Sequence, residues 1–298
     1  MEVLILSVFS AIVQGLIQGF TEFLPVSSSG HLSLFQYFTG ISSESSITFS
    51  IMLHLGTLAA VCIAFWKTIW ELLLALFALI RDIFTLRILK EPGDVRRRML
   101  YMLMLSCVPL LIVPFVQDFI SGFSSDNSII AEGVFFLITA LLLTLADRSV
   151  KGRKNASTMT AADSLYIGFA QLLATLPGIS RSGSTISAGL IRGLDKGYAV
   201  AYSFILGLPA VLAAALLDFK DAAAGGLDIP FGPAVVGMLV SAVSGLFAIK
   251  LVSFVVKSEK FRIFAIYTAV LGLVVLGIGI SEPFTGHAVQ RFFTALFA

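Results

Sequence analysis

The sequence predicts an all-α polytopic membrane protein made of two inverted-topology repeats, with six transmembrane helices and two re-entrant helical hairpins that meet near the midplane. Three observations predict it: composition, the placement of positive charge, and an internal self-similarity. Of 298 residues, 57% are hydrophobic and only 13% charged, and the mean hydropathy is +0.97. A soluble domain is about 45–50% apolar and about 25% charged, so this chain cannot hide its apolar residues inside a water-facing globule. The formal net charge of +2 provides no global field for nucleic acid. The two cysteines, Cys62 and Cys107, lie inside apolar runs, which excludes a disulfide scaffold and any Cys/His metal spacing. Met1-Glu2 runs straight into apolar sequence, without the basic n-region of a signal peptide.

A helix needs about 20 mostly apolar residues to cross about 30 Å of hydrocarbon. Segments 47–66, 99–119, 129–147, 198–217, 231–249 and 262–280 meet that requirement. Two more apolar stretches, 3–40 and 162–191, are interrupted by P-V-S-S-S-G-H (25–31) and P-G-I-S-R-S-G-S-T (177–185). The Lys and Arg residues then set the orientation. Lys67, Arg81, Arg87, Lys90 and Arg96 to Arg98 lie between the first two clean spans, and Arg148, Lys151, Arg153 and Lys154 follow the third. Arg192 and Lys196 precede the fourth span, and Lys250, Lys257, Lys260 and Arg262 separate the fifth from the sixth. In a six-span model all of these fall on one side, the cytoplasmic one. Lys220 and Arg291 fall on the other, where segments 120–128 and 218–230 are poor in positive charge. Basic flanks on both sides of 162–191 make that stretch enter and leave on the cytoplasmic face. A re-entrant hairpin fits, because non-helical backbone at membrane depth is tolerated only when buried in protein or lining a cavity.

Sliding the chain against itself by 153 residues superposes Gly15, Gln18, Ser27, Ser29 and Gly30 on Gly168, Gln171, Ser180, Ser182 and Gly183. The same offset places Ser50, Leu53, Leu55 and Ala60 on Ser203, Leu206, Leu208 and Ala213. The chain therefore reads as one membrane domain over 1–298, with repeat one at about 1–150, repeat two at about 154–280 and a tail at 281–298. Three spans separate the copies, so they are inverted, with the first hairpin dipping from outside and the second from the cytoplasm. Inverted repeats with broken helices place a site near the midplane. Segment 3–24 leaves an alternative open, since at about 33 Å of helix it could cross alone.

The polar residues of the two interruptions carry the chemistry. Gln18 and Glu22 share a helix face at i, i+4, and Gly15 and Gly19 let a partner helix come close. Glu22 in mid-membrane is a functional candidate by default; its plainer alternative is a hydrogen-bonded structural carboxylate. Arg181 alone among the basic residues sits within an apolar hairpin. Its planar fork matches phosphate oxygens, and the start of a helix at Ser180 to Thr185 would favour an anion; its plainer alternative is a salt bridge to Glu22. His31 beside serines suggests a base–nucleophile pair, whereas His54, mid-span, and His287, in the tail, carry less weight. There is no Walker motif, no acidic metal cluster and no basic-aromatic nucleic-acid surface. A lipid-borne phosphate is the natural ligand, since its tail stays in hydrocarbon while its head enters the pocket.

The run Q-G-F-T-E-F-L-P-V-S-S-S-G-H (18–31) resembles the first signature of the bacitracin-resistance family of undecaprenyl-diphosphatases, and P-G-I-S-R-S-G-S-T (177–185) resembles the second. The resemblance covers essentially the whole chain, including T-F-S-I-M-L-H-L-G-T (48–57). It implies hydrolysis of undecaprenyl diphosphate to undecaprenyl phosphate and inorganic phosphate, which recycles the carrier for peptidoglycan and other envelope polymers and confers bacitracin resistance. It also implies a divalent cation, Mg²⁺ or Ca²⁺, and a multi-pass protein of the bacterial cytoplasmic membrane whose pocket opens to the outer face. Carried over by position, Glu22 with Gln18 orients the cation and Arg181 clamps the diphosphate. Ser28, in preference to Ser27, is the nucleophile and His31 the general base or acid; a water activated by His31 is the alternative nucleophile. Ser180, Ser182 and Thr185 donate to phosphate oxygens, and Gln18, Ser27 and Ser29 complete the substrate-binding set. The family accepts Glu or Gln at the first acidic position, and Gln18 stands there, which weakens any mechanism needing two carboxylates on the metal. Expected partners are undecaprenyl diphosphate and membrane lipids, not nucleic acid, with a homodimer left open. The competing function is a polyprenyl-phosphate flippase or transporter, because inverted repeats with broken helices are a transporter architecture. Segment 70–82 reads either as an interfacial helix or as an extension of the span before it, and the tail 281–298 as lying on the outer surface.

Overall fold

The structure is a computed structural model that describes residues 8–40, 46–85, 94–122, 128–225, 231–258 and 260–297. Residues 3–7 of the first apolar stretch, and Arg87 and Lys90 of the basic loop, lie outside the described residues. Among those described, every element is helical: α1 (Val8–Phe23), α2 (Ser28–Thr39), α3 (Ser46–Ala64), α4 (Trp66–Phe84), α5 (Val95–Cys107), a 3₁₀ turn (Val108–Ile112), α6 (Val113–Gly122), α7 (Ile130–Asp147), α8 (Ala161–Leu173), α9 (Arg181–Ile191), α10 (Lys196–Gly225), α11 (Phe231–Lys257), α12 (Arg262–Thr285) and α13 (Ala288–Phe297). Five stretches are long and apolar enough to cross a membrane, and α3 with α4 makes a sixth as a bent pair. The six expected spans thus fall on α3, α5 to α6, α7, α10, α11 and α12.

The departures from smooth helices have local causes. The span from Val95 to Gln117 tightens into the 3₁₀ turn at Pro109, where the ring removes a backbone donor and crowds the preceding turn. At Phe65 the chain bends by 90° between α3 and α4. The bend makes segment 70–82 a separate helix and not a straight continuation of the span before it. That helix carries Trp66 and Trp70, stacked at 5.7 Å and exposed, as interfacial aromatics do. Residues 281–285 belong to α12 rather than to a tail. Beyond them α13 folds back on the end of α2, where the Thr294 hydroxyl donates to the Phe38 carbonyl at 3.2 Å and the Gln290 amide to the Tyr37 carbonyl at 3.2 Å.

Hydrophobicity cannot drive helices together in lipid, so close packing at small residues does. A Cβ on Gly15 would lie 2.7 Å from the Gly237 carbonyl, and one on Gly19 would lie 1.9 Å from the Ser244 hydroxyl and 2.5 Å from the Ser241 carbonyl. The expected close approach at Gly15 and Gly19 is therefore made by α11. The same helix receives α3, where a Cβ on Gly56 would meet the Met238 carbonyl at 2.3 Å and the Ser241 hydroxyl donates to the Leu53 carbonyl at 2.8 Å. A second seam joins α7 and α12, with Gly133 against Leu276, Gly272 against Leu137 and Gly279 against Ile130. These pairings make α7 and α12 antiparallel.

The two broken segments are helical hairpins, α1–α2 and α8–α9. The open end of the first, at Phe38, rests on α13 beyond the C-terminus of α12. The open end of the second is tied to the segment that follows the C-terminus of α7: the Lys154 amide donates to the Gly193 carbonyl at 3.0 Å and the Asp195 amide to the Lys154 carbonyl at 2.8 Å. Because α7 and α12 are antiparallel, the hairpins enter the bundle from opposite ends.

The second hairpin starts with a capping box between Thr160 and Asp163. The Asp163 carboxylate also accepts from Lys154 Nζ at 2.9 Å and from Arg192 Nε at 2.8 Å. Burial alone would raise its pKa, but the hydrogen bonds from Lys154, Thr160 and Arg192 outweigh burial and lower it to about 2.

Replacing Gly19 by Ala should destabilise the protein by about 1–3 kcal/mol, because the added methyl group meets the backbone of α11. Gly277, with nothing within 4 Å of its Cβ position, is the control, and its Ala variant should stay within about 0.5 kcal/mol. Thermal unfolding in detergent measures both. The Asp163→Asn variant should be less stable by roughly 1–3 kcal/mol at neutral pH. An unfolded Asp protonates near pH 3.9 and the folded one only near 2, so the carboxylate contributes fully above about pH 5 and loses its contribution as pH falls from 4 toward 2. Chemical unfolding at several pH values should show wild type and variant converging at the acid end.

Candidate active site

The hairpin tips form where sequence forbids helix. Pro25 follows α1, and Ser27 takes a φ of 73°, a left-handed conformation that costs a non-glycine residue of order 1–3 kcal/mol and is characteristic of functional sites. The Ser27 hydroxyl then N-caps α2, accepting from the Gly30 amide at 3.3 Å and lying 3.3 Å from the Ser29 hydroxyl. The second tip repeats the arrangement. Ser180 N-caps α9, accepting from the Gly183 amide at 3.0 Å, and lies 3.3 Å from the Ser182 hydroxyl.

The tips touch. The Gly178 amide donates to the Ser29 hydroxyl at 3.4 Å, and the Ser182 hydroxyl to the Leu24 carbonyl at 3.2 Å. A Cβ on Gly30 would come within 3.1 Å of the Gly178 Cα, so glycine is needed on one side of the junction. Thr139 of α7 supports the second tip by accepting from the Ser180 amide at 3.1 Å.

Across this junction Arg181 Nη2 donates to Glu22 Oε1 at 2.5 Å. Both side chains are largely withdrawn from solvent, at 19% and 8% exposure. The other carboxylate oxygen accepts from the Ser28 hydroxyl at 2.6 Å and from the Gln18 amide at 3.0 Å. Gln18, Glu22, Ser28 and Arg181 thus form one buried cluster, and the salt bridge left open by the sequence is present. Arg181 reaches it by crossing α10, where its Nη1 donates to the Ser203 carbonyl at 3.4 Å. A Cβ on Gly207 would sit 1.9 Å from Nη1 and 2.5 Å from Cζ; only a glycine lets the guanidinium pass. A small cavity beside the pair is walled by Phe23, Thr57, Phe204 and Leu208.

The remaining site residues are placed differently from the sequence expectation. Ser28 pairs with Glu22 and not with His31. The His31 ring is satisfied elsewhere, with Nδ1 2.7 Å from the Ser27 carbonyl and Nε2 2.8 Å from the Tyr267 hydroxyl. A carbonyl can only accept, so Nδ1 carries the hydrogen, and a neutral His31 accepts from Tyr267 at Nε2. The ring lies nearly parallel to that of Tyr267 and meets the edge of Phe136. Ser180, Ser182, Ser27 and Ser29 hold the tips, and Thr185 donates to the Arg181 carbonyl at 2.9 Å and bonds the Ser203 hydroxyl. Two contributors escaped sequence reasoning: Tyr267 and Gly207 carry no signal beyond being a tyrosine and a glycine in greasy helices. His54, given less weight by its mid-span position, hydrogen-bonds within the bundle, its Nδ1 2.8 Å from the Ser50 carbonyl, and it also borders Arg181.

Among the described residues no group of three His, Cys, Asp or Glu could hold a metal ion. Glu22 supplies the one carboxylate of the cluster, and Gln18 Oε1 is buried without a hydrogen-bond partner. A carboxylate, an amide oxygen and hydroxyls are hard oxygen donors, compatible with Mg²⁺ or Ca²⁺ when substrate phosphates supply further ligands.

Residues 11–274 match the family described as bacitracin resistance protein BacA. The undecaprenyl-diphosphatase of Carboxydothermus hydrogenoformans is 38% identical over 274 residues, covering 90% of this chain and 96% of the relative. That of Halothermothrix orenii is 36% identical over 274 residues, covering 91% and 98%, and that of Treponema denticola 37% identical over 286 residues, covering 95% and 100%. A match this continuous, taking in both hairpin tips and the helices that carry them, shows that the chain belongs to the bacitracin resistance protein family.

Proposed function

We propose that this protein is an undecaprenyl-diphosphatase, hydrolysing undecaprenyl diphosphate to undecaprenyl phosphate and inorganic phosphate. Family membership and the names of its relatives support the activity. The observation that carries it is the Ser28–Glu22–Arg181 chain at the meeting point of two hairpin tips inside an apolar bundle. A carrier needs an anion-binding arginine but no hydroxyl held on a carboxylate, so the flippase reading is not favoured. The reaction returns the lipid carrier to synthesis of peptidoglycan and other envelope polymers. Its place is the bacterial cytoplasmic membrane; the Lys- and Arg-rich loops mark the cytoplasmic side, and the family resemblance supports a site reached from the outer face.

The diphosphate competes with Glu22 for Arg181. A guanidinium binds phosphate through two parallel N–H bonds, and moving Arg181 onto the substrate frees Glu22 to accept the Ser28 proton at Oε2. The Ser28 oxygen then attacks the terminal phosphorus. The bond from that phosphorus to the bridging oxygen breaks, undecaprenyl phosphate departs, and water hydrolyses the phosphoserine. Arg181 stabilises charge on the transferring group, where positioning and electrostatics supply most of the catalysis. His31 is locked between Ser27 and Tyr267, and its participation requires the Tyr267 bond to open. Glu22 and Gln18 would hold the divalent cation, which neutralises phosphate charge when bound.

Phosphate release from undecaprenyl diphosphate by detergent-purified protein tests this, with and without Mg²⁺ or Ca²⁺. Release should depend on the cation and fall at least about 10²-fold in Arg181→Ala, as when a transition-state donor is removed. Ser28→Ala should lose a comparable factor; near-normal turnover would rule out the serine step and leave water as the nucleophile. Gly207→Ala should cost roughly 10- to 100-fold in kcat/KM by displacing the guanidinium about an ångström, in protein that still folds.

A further inference from the structure

The serine mechanism leaves one side chain beside Arg181 unused. Between α3 and α10 lies a cavity of about 220 Å³, lined by His54, Arg181, Ile51, Val211 and alanines of α10. That is several times the roughly 30 Å³ share of one water. Its walls are hydrocarbon except for the guanidinium and the imidazole.

The imidazole is held in a defined way. Nδ1 lies 2.8 Å from the Ser50 carbonyl one turn back, and since a carbonyl only accepts, Nδ1 carries hydrogen. Nε2 is left as the acting nitrogen: a lone pair when the ring is neutral, an N–H donor when it is protonated. Among the described residues no hydrogen bond is made at Nε2. His54 and Gly207 also stand 153 residues apart, the offset of the internal repeat, and both border Arg181. At one copy of this helix position an absent side chain admits the guanidinium; at the other an imidazole closes the pocket beside it.

We propose that His54 is the specificity-determining residue for a diphosphate head: Arg181 holds one phosphate, and His54 Nε2 shares a proton with a non-bridging oxygen of the other. The apolar walls then accept the first carbons of the prenyl chain. The proposal rests on the phosphatase reading and adds to it the reason a diphosphate is taken in preference to a monophosphate.

The test is binding of farnesyl methylenediphosphonate, which cannot be hydrolysed at its bridge, and of farnesyl monophosphate to full-length wild type, His54→Ala and His54→Gln. In His54→Ala the diphosphonate should bind about tenfold more weakly, the scale of a lost hydrogen bond to a charged group, while the monophosphate changes less than twofold. His54→Gln keeps an N–H donor and should recover most of the loss. An unchanged ratio of the two affinities in His54→Ala, whether both fall together or neither does, overturns the proposal. Thermal unfolding of each variant shows that it is folded. Phosphate release by the same wild-type preparation separates the two readings: no release overturns the phosphatase, whereas release with an unchanged ratio overturns only the role of His54.

Discussion

The buried ion pair between Glu22 and Arg181 is the interaction on which the rest of the structure depends. Each charge alone in a low-dielectric interior carries a penalty of several kcal/mol, so neither hairpin tip could hold its charged residue at that depth without the other. The pair is also completed on both sides, with Ser28 and Gln18 on the carboxylate and the Ser203 carbonyl on the guanidinium. Removing one partner from such a pair typically costs 3–5 kcal/mol. The broken helices follow from this demand: a continuous helix would satisfy its own backbone but would not end at the place where the two charges meet.

Bringing the charges together requires exact helix spacing, and glycine provides it. The face of α1 that carries Gln18 and Glu22 also carries Gly15 and Gly19, which seat the helix on α11 with backbone nearly against backbone. Gly207 does the same service for a side chain, opening α10 so that Arg181 can cross it. In lipid, where apolar surface is not expelled by solvent, such contacts set position through van der Waals packing and interhelical hydrogen bonds. The stability of the bundle and the geometry of the site therefore share residues.

The hydroxyls divide into two groups. Most of those at the tips, Ser27, Ser29, Ser180 and Ser182, cap helices or bridge one tip to the other. They make the irregular backbone tolerable at depth, where every polar group needs a partner. Ser28 differs, because its hydroxyl is spent on a carboxylate that the substrate can release. That single difference in partner separates a structural serine from a candidate nucleophile in a run of three identical residues.

Much of this protein follows from its sequence alone. Length of apolar runs marks the candidate spans, because the hydrocarbon thickness is constant and the backbone must satisfy itself. Polar interruptions at 25–31 and 177–185 mark the hairpins, and a charged residue isolated in grease must find a partner, which made Glu22 and Arg181 legible. Segment 70–82 was undecidable because an amphipathic helix suits both a surface and a span extension; only the 90° bend at Phe65 shows that it does not continue the span in a straight line. Which partner each donor takes was equally undecided by sequence. Ser28 and His31 are neighbours in one helical turn, yet the ring turns to Tyr267, 236 residues away, and the hydroxyl to Glu22. Gly207 and His54 gained meaning only when folding placed both beside Arg181. Local pattern reports burial and periodicity, whereas hydrogen-bond partners and close approaches depend on how separate helices pack, and that the tertiary structure alone decided.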